Sequence, residues 1–469
     1  VRRPEPFGQG YPGERQEGGE GSAPLGELLA WLDRHVNLEA IESGKAGRAG
    51  QPTLERIEAL VAAMGEPQGT YPVVHVTGTN GKGSTTRMCS ELLVEQGLSV
   101  GTYTSPHLER LNERIAYGLQ PIEDAALAEV LEVTRETERF VRARHPDQLA
   151  PNWFELVTAA GFRWFSDQAV EAAVVEVGIG GRYDATNVAD GSVAVITNVE
   201  LDHTEILGST RAAIAAEKAG IVKAGAVVCC GEDDPEIVEL VADQSRAAGA
   251  EALWVRNVDF ACDENRVAHG GRLVDLRTPG GSYEELYLPV FGAHQGENAA
   301  AALAAAEAFF GSPLQREVVE SAFARLSLPG RLEVVGRRPL VLLDGAHNRA
   351  GAGALGAALE EDFAGIERIV LVMGCLRGRE PAAMLEAIGT GRLEVVLACA
   401  PPSPRAVPAE EVAAAASGLG VPAQVFEGAA DAVAAALERA RPDDLVLVTG
   451  SLYLVGAARR VARGLLSAR

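Results

Sequence analysis

The chain has 469 residues, more than the roughly 250–300 that one hydrophobic core usually organises, so two or more domains are expected. Hydrophobic residues make up 47% and charged residues 23%, which excludes a wholly disordered or membrane-embedded chain. With 42 Lys and Arg against 65 Asp and Glu the net charge is −23, which disfavours nucleic acid and anionic membranes as partners. Cations that hold an anionic substrate must then be concentrated in a cleft.

Residues 1–24 are rich in Gly, Pro and charge with little to bury, and are expected to form a disordered leader. From Leu25 short apolar strands alternate with Ala-rich helical segments: "PVVHVTG" then "STTRMCSELLVEQG", "AAVVEVG", and "VAVITNV" then "TRAAIAAEKAGIVK". This alternation predicts an α/β fold with a mostly parallel sheet covered by helices on both faces. It restarts with "LVLLDGAHN", "IERIVLVMG", "EVVLACA", "AQVFEG" and "DLVLVTG", so a second α/β domain is placed at 336–469, after a break at "GRRP". No apolar run reaches the roughly 18 residues of a membrane span, and no apolar signal core stands near the N-terminus. The six cysteines (Cys89, Cys229, Cys230, Cys262, Cys375 and Cys399) form no C-x-x-C pair, so buried thiols in a reducing, cytoplasmic setting are expected.

Chemistry-bearing residues gather at the strand ends. In "VVHVTGTNGKGSTTRM" (73–88), Gly78, Gly81 and Gly83 separate a strand from a helix, with Lys82 and the hydroxyls of Ser84 and Thr85 beside them. The spacing departs from G-x-x-x-x-G-K-[ST], yet strand, turn, lysine and hydroxyls together favour phosphate binding over a bare tight turn. "TSPHLERLNERI" offers Ser105 to a cation and Arg110 and Arg114 to an anion, or else forms a salt-bridged surface loop. Glu176 is the one charge in a strand that otherwise reads as buried; it is a magnesium ligand or general base, or it pairs with Arg182. Asp202-His203 lies just past another strand, at the edge where open parallel sheets bind ligands. Lys218 on its own reads as a snorkelling surface lysine. Gln295 and Asn298 read as N-cap residues, while Arg331, Asp344, His347 and Asn348 add polar groups near the second domain's first strand.

The motifs "HVTGTNGKGST", "TSPHL", "EVGIGGRYDATN", "LDHTEILG", "EKAGIVK", "HQGENAAAA", "PGRLE", "DGAHN" and "VTGSLYLVG" stand in the order seen in folylpolyglutamate synthases and dihydrofolate synthases. The chain resembles that family, part of the Mur ligase superfamily of ATP-dependent amide-forming ligases, over roughly residues 25–460. The resemblance implies a P-loop ATPase domain (25–335) and a smaller Rossmann-like glutamate ligase domain (336–469), with the active site between them. By motif, Gly78, Thr79, Asn80, Gly81, Lys82, Gly83, Ser84, Asn298, Arg331 and Asp344 would hold ATP. Ser105, Glu176 and His203 look like magnesium ligands, and Lys218 resembles the lysine that is carbamylated in the superfamily. Asp344 and His347 would meet the incoming glutamate, Arg110 and Arg114 the anionic substrate, and Lys82, Lys218 and His347 would be catalytic.

Two departures stand out. The family's usual Asp-Lys-Asp segment is "CLRGRE" (375–380) here, and Leu328 replaces the aromatic before Pro-Gly-Arg; no role is carried to these positions. The implied chemistry adds L-glutamate to dihydropteroate, to a reduced folate, or to both, with ATP and Mg²⁺, in a monomer. A muramoyl-peptide ligase is the alternative of like chemistry, and a nucleotide-binding regulator the alternative without it. The short stretch before Gly78 argues against the first, and the set Glu176, His203 and Lys218 against the second.

Overall fold

The computed structural model describes residues 23–39, 53–145 and 150–467, so the leader expected at the N-terminus lies almost wholly outside the described residues. A first sheet has eight strands: β1 (Val73–Thr77), β2 (Val100–Tyr103), β3 (Ile115–Tyr117), β4 (Gln120–Pro121), β5 (Ala172–Glu176), β6 (Gly191–Ile196), β7 (Val227–Cys230) and β8 (Ala252–Val255). Their order is β4-β3-β2-β5-β1-β6-β7-β8, parallel from β2 through β8 and antiparallel at the β2–β3 and β3–β4 pairs. Every residue of β1 and β5 is buried, because helices cover both faces; such strands read as continuous apolar runs.

Topology places the ligand crevice. The chain leaves β1 for β2 on one side, whereas the link from β5 crosses β1 to reach β6 on the other. Loops after β1, β5 and β6 therefore diverge at one carboxyl edge and leave a gap there. The helix Lys82–Glu95 leaves this edge and packs beside the helix His294–Phe310. Residues Ala299–Ala306 of the second helix are all buried, and small side chains let it fit among neighbours on every face.

An antiparallel sheet of β9 (Ala261–Ala268), β10 (Gly271–Thr278) and β11 (Gly281–Leu288) follows. The second large sheet contains β12 (Glu333–Arg337), β13 (Leu340–Leu343), β14 (Ile369–Met373), β15 (Leu393–Cys399), β16 (Ala423–Phe426) and β17 (Leu445–Thr449). It runs β12-β13-β17-β14-β15-β16, parallel except for the β12–β13 hairpin. Alternation works as the pleat requires: Leu342 enters one core while Val341 and Leu343 enter the core on the opposite face. The sheet begins at Glu333, so the "GRRP" break falls in the turn of a hairpin rather than between domains. A proline beside two arginines ends a strand there, and the strand after it pairs straight back.

Five of the six cysteines are buried and Cys262 is half-buried; all are free thiols. Among the described residues, no helix is long and apolar enough to cross a membrane.

Candidate active site

The loop after β1 needs its glycines. Gly78 has φ +149° and Gly81 φ +83°, and a Cβ at either would run into Thr197 or the Asn298 carboxamide respectively. The loop after β6 grips this one from the side. Thr79 N–H donates to the Asn198 carbonyl at 2.9 Å, and Asn80 N–H donates to Asn198 Oδ1 at 2.9 Å. Thr197 Oγ1 donates to the Asn80 carbonyl at 2.6 Å. Gly81 precedes the helix, leaving the first-turn N–H groups of Lys82, Gly83 and Ser84 without intrahelical partners where these residues line the cleft.

Three charged side chains crowd this turn. Lys82 Nζ donates to the carbonyls of Gly78 (3.0 Å) and Thr79 (3.1 Å). Lys218 Nζ donates to the same Gly78 carbonyl at 2.7 Å, and the residue is only 3% exposed, so the surface reading of Lys218 is overturned. Burial pulls the Lys218 amine down to about 7, and the neighbouring Lys82 adds to the shift. Burial also lowers Lys82, against the opposing pull of Glu176 and Asp202. At the end of β5, Glu176 is buried, and burial raises its carboxyl while Lys82 and the Ser105 N–H hold it back. That N–H donates to Glu176 Oε2 at 2.9 Å. Arg182 instead reaches Gln244 at 3.3 Å, so the alternative of a Glu176–Arg182 pair is not formed.

His203 sits in the left-handed region, φ +49°, which aims its ring back over the cleft. Burial lowers its imidazole to about 4 despite the adjacent Asp202, so the ring is neutral near pH 7 and free to ligate.

The second domain closes the cleft from the other side. Asp344, at the end of β13, accepts N–H bonds from Leu332 (3.0 Å) and Ala346 (2.8 Å), which fixes the "DGAHN" turn. His347 donates from Nδ1 to the Gly345 carbonyl at 2.9 Å and presents Nε2 to Asp202 at 3.7 Å. Asn348 Nδ2 donates to Asp202 Oδ2 at 3.0 Å and to Asn80 Oδ1 at 3.1 Å, tying both loops of the first domain to the second. Arg379, from the divergent "CLRGRE" segment, also pairs with Asp202. Burial would raise the Asp202 carboxyl, but His347, His203 and Arg379 hold it far below the usual carboxylate range.

These elements enclose one cleft of ≈ 400 Å³ that brings together Thr79–Ser84, Ser105, Glu176, His203, Asn298, Arg331, Asp344 and His347. Lys218 stands directly behind the loop, against the Gly78 carbonyl. Asn298 and Gln295 bond to each other (3.0 Å) instead of capping the helix, whose N-cap residue is Ala293. Two residues expected to bind substrate lie elsewhere. Arg110 is exposed and pairs with Asp124 at 2.5 Å. Arg114 is buried, held to Glu39 at 2.8 and 2.6 Å and packed over the Trp153 ring at 4.8 Å; it reaches the cleft only through Glu39. Sequence reading missed Asn198, Glu39 and Arg379. Asn198 follows the strand "VAVIT", so its place at a strand's carboxyl end was the available signal.

Residues 155–306 match the Mur ligase middle domain family, and residues 330–452 match the Mur ligase, glutamate ligase domain family. The dihydrofolate synthase/folylpolyglutamate synthase of Mycobacterium tuberculosis is 37% identical over 441 residues, covering 87% of this chain and 89% of the relative. The chain belongs to the folylpolyglutamate synthase/dihydrofolate synthase family. Folylpolyglutamate synthase of Lacticaseibacillus casei is 35% identical, with 87% of this chain and 94% of the relative covered. Folylpolyglutamate synthase of M. tuberculosis complexed with ADP has the same architecture, with TM-score 0.87 and 35% identity over 94% of this chain and 98% of that one. An FPGS-AMPPCP-folate complex matches at TM-score 0.79 and 32% identity, covering 95% of this chain and 100% of that one. In this family's two-domain α/β frame, the cleft described above is the space between the Mur ligase middle and glutamate ligase domains.

Proposed function

We propose that this protein is an ATP-dependent ligase that adds L-glutamate to a folate, to dihydropteroate, or to both, forming ADP and phosphate. The observation that carries the reading is the convergence of a phosphate-type loop bearing Lys82 with Asp344, His347 and Asn348 of the second domain across a single cleft. A carboxylate is too poor an electrophile to meet an amine in water. It first attacks the ATP γ-phosphorus, giving an acyl phosphate and ADP; the glutamate amine then attacks the acyl carbon and phosphate leaves.

Both steps bring anions together. Lys82 and the first-turn N–H groups offset that repulsion, and Gly78–Ser84, Asn298, Arg331 and Asp344 hold the nucleotide. Ser105, Glu176 and His203 suit Mg²⁺: a hydroxyl, a buried carboxylate whose charge a cation would favour, and a neutral imidazole all face one cleft. Among the described residues no group of three or more His, Cys, Asp and Glu could hold a metal ion, so waters and phosphate oxygens would have to complete the coordination. Bound there, Mg²⁺ would neutralise phosphate charge and orient the transfer.

Lys218 is assigned as a carbamate. Its buried amine is relieved of its proton in about half of the molecules near pH 7, and a carbamate nitrogen keeps one N–H for the Gly78 carbonyl. Asp344 and His347 face the incoming glutamate, with His347 held by Gly345. Arg114 acts through Glu39, and Arg110 receives no binding role. The reading places the enzyme in the cytoplasm as a monomer.

The test is ADP release by purified protein with ATP, Mg²⁺ and L-glutamate, run separately with dihydropteroate and with a reduced folate. Turnover with at least one of them is expected. Turnover with a UDP-muramoyl acceptor and neither pterin would overturn the assignment.

A further inference from the structure

Three of the sequence motifs meet at a contact that lies beside the cleft rather than in it. Leu108, from "TSPHL" in the first domain, packs against an apolar core of the second, the one built by Val341, Leu343, Leu454 and Val455. Its socket has two glycine walls. Gly330, from "PGRLE", stands at φ +68°, and a Cβ there would lie 3.1 Å from both Leu108 methyl carbons and 3.2 Å from Val455 Cγ1. Gly456, from "VTGSLYLVG", belongs to the helix Leu452–Ser467, and a Cβ there would run into the Leu108 carbonyl group. Glycine weakens a helix interior, and what it permits here is the close approach of a second backbone.

Ion pairs close over the socket. Arg459, further along the same helix, donates from Nε to both Glu333 carboxylate oxygens at 3.0 Å and from Nη1 to Glu109 at 2.7 Å. Glu333 also accepts from the Gly330 N–H at 2.8 Å, and the Gly345 N–H, in the turn of Asp344, donates to the Gly330 carbonyl at 2.8 Å. On the first-domain side Glu113 gathers the loop, accepting from the N–H groups of Leu108 (2.7 Å), Glu109 (2.9 Å) and Arg110 (3.0 Å). Ser105, earlier in this loop, lines the cleft, and its N–H holds Glu176. One short loop thus carries a candidate cation ligand at one end and the knob that seats the second domain at the other.

We propose that Leu108 is a positioning residue: seated between Gly330 and Gly456, it couples docking of the second domain to the Ser105 loop, so that docking and cation binding with nucleotide strengthen each other. The cation's place at Ser105 rests on the ligase reading above, and the coupling goes beyond it. If the second domain swings away, Leu108 must leave an apolar socket and the loop loses the packed side that holds it. Close-packed contacts of this kind switch between discrete arrangements rather than deform, and a coupling between two sites acts equally in both directions.

The test is calorimetric ADP binding, with Mg²⁺ and with the metal chelated, for wild type, Leu108→Ala, Leu108→Met and Gly456→Ala, beside urea unfolding of each. Mg²⁺ is expected to tighten ADP binding to wild type. Leu108→Ala and Gly456→Ala should each lose about five- to tenfold of that gain, while metal-free ADP affinity stays within about threefold. Leu108→Met, which refills the socket, should regain most of it. Gly456→Ala separates coupling from folding, because alanine favours the helix itself. A Mg²⁺ gain within about twofold of wild type in both Leu108→Ala and Gly456→Ala overturns the proposal, whatever unfolding shows. If Leu108→Ala does not fold, Gly456→Ala alone decides by the same criterion. Wild type is read first: ADP affinity indifferent to Mg²⁺ there removes the cation site of the ligase reading and the coupling with it, whereas a wild-type gain that both variants keep removes the coupling alone.

Discussion

Removing the Lys218 amine tests how the buried lysine works. An ordinary lysine with a pKa of 10.5 is uncharged at pH 7 in only about 0.03% of molecules, whereas one lowered to about 7 is uncharged in about half. Only the uncharged amine adds CO₂, so burial raises the reactive fraction by roughly a thousandfold. The sign follows: reactive amine is abundant above about pH 7 and is lost to protonation as pH falls below it. Enzyme depleted of CO₂ should therefore lose activity, regain it with bicarbonate, and regain it more fully at about pH 8 than at about pH 6. Lys218→Ala should lower kcat by about a hundredfold or more, with acetate or propionate restoring part of it and ADP affinity changing little. Bicarbonate labelled with ¹³C should give a carbamate signal in wild type that is absent from Lys218→Ala. Full activity in Lys218→Ala, or activity indifferent to CO₂ with no labelled adduct, would exclude a working carbamate at Lys218.

Further perturbations probe the loop, the interdomain contact and the core. Gly81→Ala places a Cβ at φ +83° against Asn298, and the left-handed penalty of about 1–2 kcal/mol should weaken ADP binding at least about fivefold by calorimetry. Asp202→Asn leaves Arg379 without its counter-charge; removing one partner of a buried pair costs up to about 3–5 kcal/mol. Because that pair spans the domains, kcat should drop at least about tenfold while ADP affinity stays within about threefold. His75 in β1 is held neutral, its imidazole pushed down to about 3 by burial with Lys223 adding, and its Nε2 bonds Thr186 Oγ1 at 2.8 Å. Between pH 6.5 and about 3 the unfolded chain binds a proton that the folded chain does not, so this site removes up to ~1.4 kcal/mol of stability for each unit by which the pH is lowered. His75→Gln should flatten that slope in urea unfolding measured from about pH 6 to about pH 5.

Much of the frame was legible because it is written in local patterns. "VVHVT" and "AAVVE" read as doubly buried strands, and each is followed by turn residues that a parallel sheet places at its carboxyl edge. The β9–β11 sheet had a signal too, since Gly270-Gly271 and Gly280-Gly281 punctuate alternating runs, yet the α/β alternation on either side masked it. Pairings set by tertiary distance were not legible. Asp202 meets Arg379 across 177 positions and Asn80 meets Asn348 across 268, and no periodicity links such residues. Lys218 shows the same limit most sharply. An Ala-rich helix gives no hint that one lysine points inward, and its burial behind Gly78 arises only when the helix packs under the phosphate loop.

In the proposed reaction, phosphate passes from ATP to a carboxylate before the amide forms. The most direct measurement uses an acceptor whose reacting carboxylate carries ¹⁸O. The carboxylate oxygen that attacks γ-phosphorus must leave with it when the glutamate amine displaces phosphate. The inorganic phosphate released in step with amide formation should therefore contain one labelled oxygen, detected by mass or ³¹P shift. Phosphate free of label, with amide formed at the same rate, would contradict the account.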